Sequence, residues 1–121
     1  LIPGLEDTPR AFSIASPPSE KNLIELNITL VEGGQGTQWI HECLKVGDEL
    51  RFTGPYGRFY VRESAKEPLL FLAGGSGLSS PKSMILHLFE QVLDEGVQLF
   101  GGRVFEFFEC SSTFSHIQKL L

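Results

Sequence analysis

From Leu23 to Val31 apolar and polar positions alternate, with Ile24, Leu26, Ile28 and Leu30 on one side and Glu25, Asn27 and Thr29 on the other. A period of two is the pattern of a half-buried β-strand. Pro17-Pro18 before it and Glu32-Gly33-Gly34 after it read as bounding turns. The period then lengthens. Trp39, Ile40, Cys43 and Leu44 recur at helical spacing behind Thr37, which reads as the N-cap of a short helix. Gly47-Asp48 is a turn, and Leu50 with Phe52 and Phe59 with Val61 mark two further strands around Gly54-Pro-Tyr-Gly57. Short strands cut by Gly/Pro turns, with one short helix among them, predict an antiparallel β-barrel over residues 1–66. Asn27-Ile-Thr29 matches a glycosylation sequon, but it falls inside the predicted strand and is discounted.

From about residue 67 the pattern changes class. Leu69-Leu-Phe-Leu72 is uniformly apolar, as in a parallel strand buried on both faces, and it breaks into Ala73-Gly-Gly-Ser-Gly-Leu-Ser-Ser-Pro81. Ser80-Pro81 reads as an N-cap with proline at the first helical position. The helix behind it carries a stripe of Met84, Ile85, Leu88, Phe89, Val92 and Leu93. Gly96 reads as its C-cap, and Val97-Gln-Leu-Phe100 opens the next strand. This predicts one βαβ unit, the start of an α/β parallel-sheet nucleotide-binding domain over residues 67–121. Val104–Cys110 is aromatic-rich, follows neither period and is assigned no element.

Size and charge narrow the classes. The 121 residues make one ordinary domain or parts of two. The chain opens at Leu1-Ile-Pro-Gly without a methionine and stops in an apolar segment at Leu120-Leu121, so it reads as a fragment truncated at both ends. A net charge of −5 without a basic stripe argues against nucleic-acid binding. No apolar run approaches the ~18–20 residues of a membrane span, and a cytoplasmic location is expected. Cys43 and Cys110 are isolated, and a zinc or iron–sulfur cluster needs about four ligands. No metal site and no iron–sulfur cluster are therefore expected in this chain.

Three segments carry candidate chemistry. In Arg10-Ala11-Phe12-Ser13, the guanidinium suits two phosphate oxygens at once, the ring can stack on a flat heterocycle, and the hydroxyl can bond a ring heteroatom. Alone, the tetrapeptide reads first as a surface arginine beside a core phenylalanine. Gly33-Gly34-Gln-Gly36-Thr37 is either an anion nest or a plain hairpin loop with a cap. Gly75-Ser76-Gly77-Leu78-Ser79, between strand and helix, suits a nucleotide phosphate or a tight structural turn. It lacks the third glycine of the dinucleotide fingerprint and the lysine of a P-loop. His41, His87 and His116 are scattered, and no Ser/His/Asp order or carboxylate pair supports hydrolysis, so no catalytic residue is assigned.

In this order Arg10–Ser13, Gly33–Thr37, Leu50–Phe59 and Leu69–Met84 resemble the ferredoxin-reductase superfamily over about residues 8–95. Gly-Pro-Tyr-Gly-Arg-Phe59 and Leu72–Met84 are most similar to the reductase components of phenol hydroxylases and related methane or toluene monooxygenases. The resemblance implies FAD in the barrel and NADH over the parallel sheet. It further implies hydride transfer to the flavin, then single electrons passed to a ferredoxin-type iron–sulfur domain and a diiron oxygenase. Arg10 and Ser13 match the Arg-x-Tyr-Ser flavin motif, with Phe12 in the tyrosine place and Ala11 between. Ile28, Thr29 and Leu30 match the backbone that meets the flavin ring, and Gly33, Gly34, Gly36 and Thr37 the pyrophosphate turn. Gly75, Ser76, Gly77, Leu78 and Ser79 match the NAD loop, although Ser79-Ser80 stands where Ala-Pro is usual. The family's four cluster cysteines and its cysteine–glycine motif near the nicotinamide have no counterpart here. The alternatives are another electron-transfer flavoenzyme of the superfamily and a remnant that binds no cofactor.

Overall fold

The computed structural model describes residues 2, 4, 7–65 and 69–94. Two arms near the start of the chain run antiparallel. They meet at an Ile14–Leu26 bridge, and the Ala15 N–H donates to the Glu25 carbonyl at 2.7 Å. The Ser16 hydroxyl continues the pairing by accepting the Glu25 N–H at 3.1 Å. Between the arms the chain reverses at Pro17-Pro18, where the Pro17 carbonyl accepts the Glu20 N–H at 3.2 Å. This bridge is the single strand pairing among the described residues; the segments around 50–52, 59–61 and 69–72 carry none there.

Burial along the second arm departs from strict alternation. Ile24, Leu26 and Ile28 are half-buried as expected, but so are Glu25 and Asn27, and Leu30 is exposed. The polar side is covered because a long helix lies across it.

That helix, α2, spans Ser79–Asp94 and is entered through a single 3-10 turn at Gly75–Leu78. Ser80 is thus its second residue and not its cap. Pro81 falls in the first turn, where a missing N–H has no intrahelical partner to lose. Of the apolar stripe, Met84 and Leu88 are buried, Ile85 is half-buried and Phe89 is exposed. The side chains of Val92 and Leu93, and all of Gly96, Val97–Phe100, Val104–Cys110 and His116, lie outside the described residues.

Polar contacts join α2 to the two arms. The Lys82 ammonium pairs with the Glu25 carboxylate, and the Ser83 hydroxyl donates to the Ser16 carbonyl at 2.7 Å. The Ser19 hydroxyl donates to the Glu90 carboxylate at 2.6 Å. Ser79, 1% exposed, directs its hydroxyl to the Ser76 carbonyl at 2.8 Å, with the Asn27 carbonyl at 3.5 Å. The buried apolar residues are Ala15, Ile40, Leu44, Met84 and Leu88, drawn from one arm and both helical regions.

The short helix also starts earlier than predicted. α1 spans Gln35–Gln38, with Gly34 in the cap position, and runs directly into a π-helical turn at Trp39–Cys43. Thr37 is inside α1. Its hydroxyl reaches backward: it accepts the Val31 N–H at 3.1 Å and lies 3.1 Å from the Gly34 carbonyl it donates to. It closes the turn before the helix in place of capping the helix itself.

Leu69–Leu72 departs most from its expectation. Leu70 is 83% and Leu72 84% exposed. A parallel strand is buried only where neighbouring strands and helices flank it on all sides, and no strand pairs with this run among the described residues.

Candidate cofactor-binding site

The arms, the short helix and α2 surround an open cavity of about 1280 Å³. Arg10, Ala11, Phe12 and Ser13 line it in succession. Opposite them stand Ser80, Ser83 and His87, one face of α2. Trp39 and Ile40 contribute from the short helix, and residues 50–61 form a further wall. That wall is strongly exposed, with Phe52 at 65%, Tyr56 at 85% and Phe59 at 73%. The cavity exceeds the ~300–1,000 Å³ of an ordinary small-molecule cleft, which suits a dinucleotide.

Gly36 explains how Arg10 is held. The residue is buried, and a Cβ built on it would stand 3.1 Å from Arg10 Cγ and 3.3 Å from Ile2 Cδ1. A Cβ there would crowd the aliphatic stem of Arg10, which would have to give by a few tenths of an ångström. The stem rests on α1 while the head group stays exposed, with Nη1 donating to the Thr8 carbonyl at 2.7 Å. A guanidinium has five N–H donors in a planar fork, and Arg10 faces no carboxylate among the described residues. A held cation with no carboxylate partner among the described residues, with Phe12 half-buried two residues on, fits a phosphate-bearing ligand with a flat ring.

The other glycines of that segment act differently. Gly33 has φ +73°, and a Cβ on Gly34 would stand 2.8 Å from Thr37 Oγ1 and 3.0 Å from the Val31 carbonyl. Gly33, Gly34 and Thr37 build the turn and do not line the cavity, and neither do Ile28, Thr29 and Leu30. The Ile28 carbonyl is instead 3.0 Å from His41 Nε2, which ties the second arm to the π turn.

Gly75, Ser76, Gly77 and Leu78 also lie off the cavity wall. The loop turns on itself, with the Gly77 N–H donating to the Gly74 carbonyl at 3.0 Å. Gly75 takes φ +54°, and a Cβ on Gly74, Gly75 or Gly77 would meet nothing within 4 Å. Ser79 is buried and its hydroxyl is engaged, so it holds the loop down rather than facing solvent.

Three cavity residues had no motif to mark them. Glu63 accepts from Gln91 Nε2 at 3.1 Å and meets His87 Nε2 at 3.1 Å. The His87 hydrogen bond, with the Gln91 one beside it, holds the Glu63 carboxyl below its usual value. Trp39, the third, shares its helical spacing with Ile40 and Leu44 and so looks like core. Among the described residues, no group of three His, Cys, Asp or Glu side chains could hold a metal, and no helix is long and apolar enough to cross a membrane.

Residues 4–60 match the oxidoreductase FAD-binding domain family. The chain is 54% identical over 101 residues to the reductase component of phenol 2-monooxygenase from Pseudomonas sp. (strain CF600). It is 53% identical over 101 residues to the phenol hydroxylase P5 protein of Acinetobacter pittii (strain PHEA-2). Each alignment covers 84% of this chain and 28% of the relative. The reductase component of propane 2-monooxygenase from Rhodococcus jostii (strain RHA1) is 36% identical, over 84% of this chain and 27% of its own length. The chain thus spans under a third of the length of these relatives. No solved structure matches it significantly.

Proposed function

We propose that this chain, whose residues 4–60 match the oxidoreductase FAD-binding domain family, is the flavin-binding part of an NADH-dependent reductase component. Its oxygenase partner is a phenol-type multicomponent monooxygenase. One observation carries the reading at residue level: Gly36 admits the stem of Arg10, so that the motif arginine and Phe12 stand on the wall of one large cavity. Identity of 53–54% to two phenol hydroxylase proteins, against 36% to the propane counterpart, supports the phenol-type assignment over other oxygenases.

Arg10 binds and orients the pyrophosphate through charged hydrogen bonds, Phe12 lies against the flavin ring, and Ser13 bonds its edge. Gly33, Gly34 and Thr37 shape the turn that presents α1, with Gly36 as the contact point for the Arg10 stem, and Ile28–Leu30, which do not line the cavity, lead into that turn and are tied to the π turn through His41. FAD, when bound, supplies the ring that accepts hydride and releases single electrons. The open loop Gly75–Leu78, seated by Ser79, takes the phosphates of NAD(H), its glycines leaving room for close approach. In this reading residues 1–66 form an antiparallel barrel domain and residues 67–121 begin a parallel-sheet nucleotide domain. The electrons leave through a ferredoxin-type iron–sulfur domain to a diiron oxygenase, in the cytoplasm where NADH is supplied.

Titration of FAD into the purified chain, followed by the visible flavin bands, tests this directly. Saturable uptake is expected. No uptake even at high FAD concentration overturns the reading.

A further inference from the structure

Trp39 is the chain's single tryptophan. It stands where α1 passes into the π turn, half-buried, on the wall of the cavity lined by Arg10–Ser13. Gly36, three residues earlier, sets this position, because residues three apart share a helix face. The face that takes the Arg10 stem at Gly36 brings Trp39 to the same cavity one turn later.

Three further observations separate Trp39 from a core residue. Its helical neighbours Ile40 and Leu44 are 7% and 8% exposed, whereas Trp39 remains half-buried. Its indole N–H has no hydrogen-bond partner among the described residues and is not buried, so an acceptor on a ligand can reach it. The wide turn begins at Trp39 itself, closed by the Leu44 N–H on the Trp39 carbonyl at 3.1 Å. The turn ends the helical segment there, since Leu44 behind it is extended.

We propose that Trp39 contacts a planar ring of the bound dinucleotide, its indole lying against the heterocycle and its N–H serving as a donor to it. This deepens the reading of the cavity as a flavin site and rests on it. Flavin and adenine rings share the required chemistry, a flat π-surface edged with acceptors. A partial ligand carrying one ring tells them apart.

Wild type, Trp39→Phe and Trp39→Leu are compared for FAD, FMN and ADP binding by equilibrium dialysis, with circular dichroism as the check on folding. Stacking of a base on an aromatic side chain is worth about fivefold to a hundredfold in affinity. Trp39→Leu is expected to weaken FAD binding about tenfold or more, and Trp39→Phe, which keeps a ring face, about threefold. A parallel loss for FMN but not ADP assigns the flavin ring, and the reverse assigns adenine; either supports the contact. Wild-type affinity for FAD in both variants overturns it. If Trp39→Leu does not fold, Trp39→Phe and the near-ultraviolet dichroism of the lone indole decide. An unchanged Phe variant together with an indole band unmoved by FAD overturns the contact. Failure of the wild type to bind FAD is a separate result, which removes the flavin reading beneath the proposal.

Discussion

Two glycine-bearing segments of this chain use the residue in opposite ways. At Gly36 the missing side chain is filled by the protein itself, since the Arg10 stem occupies the space a Cβ would need. At Gly74, Gly75 and Gly77 nothing lies within 4 Å of that space. The first glycine is a packing requirement that aims a cation. The others leave open space around the loop, and Gly75 is required there by its φ of +54°. A glycine pattern therefore carries two meanings, and only the neighbouring atoms tell which applies.

Removing the aimed cation should have the largest effect. Arg10→Ala is expected to weaken FAD binding on the order of 10- to 150-fold, the value of a charged two-point contact of about 1.5–3 kcal/mol. Arg58→Ala, on the same cavity but outside the motif, should change it little. Equal losses in a fluorescence titration would make the effect one of diffuse charge. Displacing the stem comes next. Gly36→Val should lower FAD affinity about tenfold by pushing Arg10 aside, a shift estimated from a lost charged bond. It should leave Arg10→Ala with almost nothing further to lose, and additive losses in the double variant would show that the two act separately.

Gly77→Val breaks the comparison from the other side. Its Cβ meets no protein atom, so the melting temperature and FAD content should hold while the Michaelis constant for NADH rises severalfold. Joint loss of flavin and NADH would mean that the glycine serves the fold after all. The smallest effect concerns Glu63. Its carboxyl is held below the ordinary value of 4.5 in the folded chain, first by the His87 hydrogen bond. A depressed carboxyl pKa adds stability above the unfolded value and loses it as pH falls through the folded one. Wild type should therefore melt slightly above Glu63→Gln at neutral pH and lose that margin in acid. A margin independent of pH would assign it to packing.

Legibility followed the range of the physics involved. Arg10–Ser13 is legible as a candidate because a cation, a ring and a hydroxyl two and three residues apart carry their chemistry locally, and the structure places the four residues on a cavity wall. α2 was readable from its period, and its start was misplaced because the turn at Gly75–Leu78 leads into Ser79 before Ser80 can cap anything. Thr37 looked like a cap because sequence does not say whether a hydroxyl bonds forward or back. Trp39 was hidden in the helical stripe with Ile40 and Leu44, since a repeat of 3.6 residues cannot distinguish a cavity wall from a core. Leu70 and Leu72 read as interior because uniform apolarity says what a segment needs, not which parts of the chain cover it. The role of His41 on the Ile28 carbonyl depends on an approach across thirteen positions that no local pattern announces.

The contacts between α2 and the two arms have a consequence for electron transfer. Glu25–Lys82, Ser16–Ser83 and Ser19–Glu90 join polar groups. A seam of this kind sets an alignment group by group, because the buried Ser16 and the largely buried Glu25 are costly to leave without their partners, whereas the exposed Ser19–Glu90 contact is not. In the proposed reading donor and acceptor rings would meet across this seam, and the rate of hydride delivery would respond to its ionic contact at Glu25–Lys82.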